Sequence, residues 1–188
     1  MEFFSNSTAS RIVSNQMKSL RNKTDSYAEE ICKGLQKKSK FSKKFYEEQS
    51  TKLFGESLLS KWWEGRTLSN IVFIPFSEDF AGNKIPIQVC VSVYLFSTRS
   101  HSSMHHELSI ITNHALQRIM QRTGELNVIK AVKEEIDLEC VSQLSEMYAS
   151  FGDLKEKEFK INTKNGVFCI VKDEVENILK CVTWYPKK

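Results

Sequence analysis

The chain has 188 residues, 40% of them hydrophobic and 27% charged, with a formal net charge of +4 and a mean hydropathy of -0.37. That composition fits one ordinary globular domain, or a smaller domain with an accessory segment, and excludes a disordered chain. No apolar run approaches the roughly 20 residues of a spanning helix, and Met1-Glu-Phe-Phe leads into polar residues rather than an export signal, so a cytoplasmic protein without a membrane partner is expected.

Residues 7 to 64 read as helical. Ala9, Ile12, Val13, Met17 and Leu20 keep a helical period, as do Tyr27, Ile31 and Leu35, and then Phe41, Phe45, Leu53, Phe54, Leu58, Leu59 and Trp62, with Gly34, Gly55 and Gly65 as possible ends. Between Lys18 and Lys44 nine basic residues stand against three acidic ones, an excess of nine minus three, or +6. Such a stretch attracts a polyanion or forms a solvated helix face. Trp62-Trp63 suits base stacking or a packed helix end.

Near residue 68 the period changes. Ile71 to Phe76 and Ile87 to Phe96 form two antiparallel strands around a polar turn containing Gly82-Asn83. Thr98 to His106 reads as a polar connection holding His101, His105 and His106, without carboxylates or thiols at metal-ligand spacing. The five cysteines are scattered and contain no C-x-x-C pair, so neither a disulfide framework nor a zinc site is expected.

The next stretch carries the chemistry. Thr112 or Asn113 can cap a helix that Gly124 ends; Ala115, Leu116, Ile119 and Met120 form its packed arc, and His114, Arg118 and Arg122 fall four residues apart along its flank. Two guanidiniums can hold a phosphodiester while an imidazole moves its protons. The same stripe also fits a solvated surface. Two further helices follow, over Leu126 to Ile136 and Val141 to Phe151. The last 30 residues read as a meander: Phe159 and Ile161, a turn at Lys164-Asn165-Gly166 whose Asn-Gly pair tolerates positive φ, a strand over Val167 to Val171, and a last strand from Ile178 to Tyr185. Strict alternation puts Leu179, Cys181, Thr183 and Tyr185 on one face of that strand.

The expected fold is α+β: a helical N-terminal part, residues 1–66, then a small antiparallel β-sheet with packed helices, residues 67–188. If Thr183 and Tyr185 open onto the His114 helix, the parts suffice for RNA cleavage without a metal or other cofactor. A base removes the 2′ proton, an acid protonates the departing 5′ oxygen, and Arg118 and Arg122 stabilise the charge that builds on phosphorus.

His114-Ala115-Leu116, Arg118 and Arg122, with the closing Val182-Thr183-Trp184-Tyr185-Pro186, resemble the bacterial ribonuclease superfamily that groups barnase, EndoU, colicin-type tRNases and RelE-like toxins. The resemblance spans roughly residues 105 to 188. It implies metal-independent cleavage of RNA, tRNA among the candidates, with roles for His114, Arg118, Thr183 and Tyr185, and a cognate immunity or antitoxin protein as a partner. The competing expectation is a non-catalytic protein, itself immunity- or antitoxin-like or a nucleic-acid-binding module. Glycine-rich phosphate loops, G-x-S-x-G elbows and H-E-x-x-H helices are missing from the sequence, which removes most support for nucleotide hydrolysis, serine hydrolysis and zinc proteolysis.

Overall fold

The computed structural model describes residues 5, 7–13, 15, 42–76, 79–80, 83–84, 88–100 and 102–187. Most of the basic run, the helix expected around Tyr27, Ile31 and Leu35, and His101 lie outside them. Residues 7–13 are helical (α1). Helix α2 (Lys43–Phe54) starts where the Ser42 hydroxyl accepts from Phe45 N and stops at Gly55, whose φ of 48 ends the helical path. Strands β1 (Leu58–Glu64) and β2 (Thr67–Phe76) form a hairpin, and a small ribbon of β3 (Asp79–Phe80) and β4 (Asn83–Lys84) leads towards β5 (Gln88–Ser97) and β6 (Ser102–Ile111). Helices α3 (Asn113–Thr123), α4 (Val128–Glu135) and α5 (Leu138–Ala149) come next, before β7 (Glu158–Asn162), β8 (Gly166–Asp173) and β9 (Ile178–Pro186).

The main sheet corrects the expected fold class. It has seven strands in the order β1-β2-β5-β6-β9-β8-β7, and it is mixed rather than antiparallel, because Ser109–Ile111 of β6 runs parallel to Leu179–Cys181 of β9. The expected N-terminal helical part also ends early: Leu58 to Glu64 is a strand. Apolar residues at 58, 59, 62 and 63 satisfy a helical stripe equally well, and what decides between the two is pairing with β2 across the two-residue turn Gly65-Arg66. Thr98 to His106 was expected to be a connection, yet from Ser102 onward it is the strand β6, paired with β5. The exposed side chains of residues 104–107 conceal a backbone that pairs with β5.

Two apolar clusters hold the layers. On one face of the sheet, Val13 of α1 and helices α3 to α5 cover Phe73, Val91, Ile111, Ile170, Cys181 and Trp184. On the opposite face, Tyr46, Leu53 and Phe54 of α2 cover Leu68, Val72 and Phe96 at the β1 end. Among the described residues, no element covers that second face over β7, β8 and β9. No described helix is long and apolar enough to cross a membrane.

Candidate functional site

The open face follows from one irregularity. Strand β8 pairs Cys169 with Thr183 and Ile170 with Cys181, which leaves Val182 as a bulge. An extra residue inverts the alternation beyond it, so Cys181 and Trp184 both enter the core, at 0% and 2% exposure, while Thr183 and Tyr185 turn outward. The expected grouping of Thr183 and Tyr185 with Leu179 and Cys181 on one face is thereby corrected. Three strands then place Lys160, Cys169 and Thr183 in one row of the open face.

That row helps to line a hollow of about 990 Å³, whose wall also takes in Gln143, Met147 and Ser150 of α5 and other residues of β7 to β9. Thr183 and Tyr185 line it; His114, Arg118 and Arg122 do not. Glu146, Glu156 and Glu158 line it against the single cation Lys160. The ammonium of Lys180, on the same face, is taken by Asp173 at 2.8 Å and Glu176 at 2.7 Å. Lys180 in turn holds the Asp173 carboxyl below the ordinary carboxylate range.

The helix bearing the histidine starts beside this cleft. Thr112 caps α3, its hydroxyl accepting from Ala115 N, and Gly124 closes it in the left-handed conformation at φ 75. The same hydroxyl donates to the carbonyls of Cys181 at 3.0 Å and Val182 at 3.3 Å, and Thr112 N donates to Cys181 O at 3.1 Å. These bonds fix the first turn of α3 against the bulge of β9, two residues before His114 and one before Thr183. His114 is exposed; Arg118 and Arg122 are half-buried, and Arg118 donates to Gln121 Oε1 at 3.5 Å.

The other expected candidates lie elsewhere. His105 stacks on Tyr94 with ring centroids 4.4 Å apart, and His106 Nε2 lies 3.0 Å from Met104 Sδ. Although the residue is exposed as a whole, partial desolvation of its stacked ring lowers the pKa of His105, with Glu107 opposing the shift and His106 adding to it. A lowered folded value means that the unfolded chain takes up its proton first as pH falls. His105 therefore stabilises fully above about pH 6.5, and its contribution is lost as pH falls through the lowered value. The difference in urea midpoint between pH 7 and pH 5 is expected to narrow in His105→Phe; an unchanged difference would assign the acid sensitivity to other groups.

Burial pushes the thiols of Cys90 and Cys181 up to about 12, and that of Cys140 up as well, so none of the three is a thiolate near neutrality. Cys169 is half-buried and lines the cleft, a position the alternating run around it gave no means of recognising. Among the described residues, no group of three or more His, Cys, Asp or Glu side chains is arranged to hold a metal ion. No family model, curated protein or solved structure matches the chain.

Proposed function

We propose that the protein is a metal-independent endoribonuclease that acts where the first turn of α3 meets the bulge of β9. One observation carries the reading: the Thr112 hydroxyl bonds to Cys181 O and Val182 O, which brings the start of the His114 helix against the point where Thr183 and Tyr185 turn outward. In this reading the His114 imidazole takes the 2′-hydroxyl proton and the 2′ oxygen attacks phosphorus. The bond to the 5′ oxygen breaks, leaving a 2′,3′-cyclic phosphate, and the departing oxygen takes a proton from solvent. Arg118 and Arg122 offset negative charge on the phosphoryl oxygens, Thr183 orients the phosphate, and the exposed ring of Tyr185 stacks on a base. RNA approaches from the α3 side, since the carboxylates at the β7 end of the cleft repel phosphate.

Those carboxylates also favour a second reading, a non-catalytic protein that binds a partner. Incubating purified protein with total tRNA and a chelator separates the two. Cleavage by the wild type, lowered about 10²-fold or more in His114→Ala and in part in Thr183→Ala, is the expected result. Undiminished cleavage in His114→Ala removes the imidazole from the mechanism, and an inert wild type favours the binding protein.

A further inference from the structure

Strand β7 is the end of the main sheet, and its register shows which backbone groups it leaves over. Lys172 N donates to Lys157 O and Thr163 N to Gly166 O, so the odd-numbered residues from 157 to 163 bond to β8. In an antiparallel ladder the alternate residues point their N–H and C=O away from the partner, which leaves those of Glu158, Lys160 and Asn162 directed outward from the sheet. The side chains of Glu158 and Lys160 stand in the cleft along this edge, and Phe159 between them is half-buried against the core. Neither the Glu158 carboxylate nor the Lys160 ammonium has an ion-pair partner among the described residues.

An antiparallel partner strand must set outward-pointing residues opposite outward-pointing residues, so only registers that match even-numbered positions are open to a second copy of β7. Full overlap sets Lys160 against Lys160, which is repulsive. A slip of two residues one way brings the pair of Glu158 and Lys164 into play, but Lys164 is held in the hairpin turn by its N–H bond to Glu135 O. A slip of two the other way sets Glu158 opposite Lys160 twice, related by a two-fold axis through a Phe159–Phe159 pair. The edge is then complementary to itself in charge and backbone polarity, as an isologous dimer requires.

We propose that two copies of this chain pair edge to edge through β7 in that register, joining their sheets into one, with paired Glu158–Lys160 contacts across the axis. The inference does not rest on the nuclease reading. The two open faces lie on the same side of the joined sheet, and the cleft beside each β7 receives the edge of the other copy.

Light scattering after size-exclusion chromatography tests it. The wild type is expected to be a dimer. Glu158→Lys sets two lysines opposite each other and Lys160→Glu two glutamates, so each variant alone should raise the dissociation constant at least about tenfold. Mixing the two single variants restores two opposite-charge pairs, as does the double variant Glu158→Lys/Lys160→Glu within one chain. Dimers returning in the mixture and in the double variant support the register, while circular dichroism confirms that the single variants remain folded. A monomeric wild type at its highest soluble concentration, single variants that dimerise undiminished, or a mixture that stays monomeric overturns the proposal; the first of these makes Lys160 a charge that guards the edge against association.

Discussion

Replacing Glu135 with alanine is expected to lower the unfolding free energy by about 3 kcal/mol, the value of three hydrogen bonds to the carboxylate less what water restores to the two from Asn165. Glu135 is the last residue of α4 and is 0% exposed, although a carboxylate at a helix C-terminus faces the negative end of the helix dipole. What keeps it there is the β7–β8 turn. The Thr163 hydroxyl donates to Glu135 Oε2 at 2.8 Å, Asn165 Nδ2 to Oε1 at 2.9 Å and Asn165 N to Oε2 at 3.2 Å, while Lys164 N donates to the Glu135 carbonyl. Thr163 Oγ1 in turn accepts from Gly166 N and from Trp184 Nε1, and Lys187 Nζ donates to Thr163 O at 2.7 Å. One carboxylate thus ties α4, the hairpin tip and the last strand together. Truncating it strands the buried Thr163 hydroxyl and leaves the two donors of the exposed Asn165 to water. Glu135→Gln keeps the shape but turns an amide N–H₂ towards donors, and is expected to cost about 1–2 kcal/mol. Urea unfolding at an unchanged slope measures both, and a loss below about 1 kcal/mol in Glu135→Ala would show that the turn holds without the carboxylate.

The hairpin at that turn was legible in the sequence, but for a different reason from the one that holds. Asn165-Gly166 suggests a turn with two positive φ angles, yet neither residue has one; among the described residues, positive φ occurs at Gly55, Gly65, Gly124 and Asn177. The turn is set by Glu135, thirty positions away from Asn165, and no local pattern carries that information. Helix α3 shows the contrasting case. Thr112, Gly124 and the arc of Ala115, Leu116, Ile119 and Met120 lie within one short segment, and the helix forms with the cap and terminator they specify. The caps and packed arc of one helix could be read; strand pairing could not, neither the neighbouring hairpins of β1 with β2 and β5 with β6 nor the distant parallel contact of β6 with β9.

The candidate site divides in the same way. The spacing of His114, Arg118 and Arg122 along a helix is a local property, and it is found on α3. The orientation of Thr183 and Tyr185 depends on the bulge at Val182, which exists because β8 and β9 pair with one residue unmatched. Period-two counting has no access to a bulge, and it assigned both side chains to the wrong companions. The meeting of α3 with β9 depends on Thr112, read as a cap alone, whose hydroxyl also reaches two carbonyls about seventy residues along the chain. The acidity of the cleft was hidden for a related reason. Glu146 sits on α5, Glu156 in the connection before β7 and Glu158 at the start of β7, so they read as ordinary surface charges until the fold brings them to one hollow.

Gly166→Ala is expected to cost about 3 kcal/mol, the upper part of the range for overpacking a well-filled core. A Cβ at this position would lie 2.3 Å from both Cε2 and Nε1 of Trp184, closer than any side-chain carbon can approach. Trp184 cannot simply swing aside. It is 2% exposed, packs in the main core, and donates from Nε1 to the Thr163 hydroxyl at 3.2 Å. Displacing the indole therefore opens a void and breaks the bond that joins β9 to the clamp around Glu135. The glycine is demanded by the ring lying across it and not by its own φ, so the cost should depend on the ring. Trp184→Phe shortens the side chain where the Cβ would strike, at its own expense in lost packing. The double variant should then be more stable than the sum of the two single losses predicts, by about 1 kcal/mol or more. Strict additivity in that cycle would mean that the alanine acts through the backbone of the turn, and that the close approach of Trp184 to Gly166 places no steric limit on the hairpin.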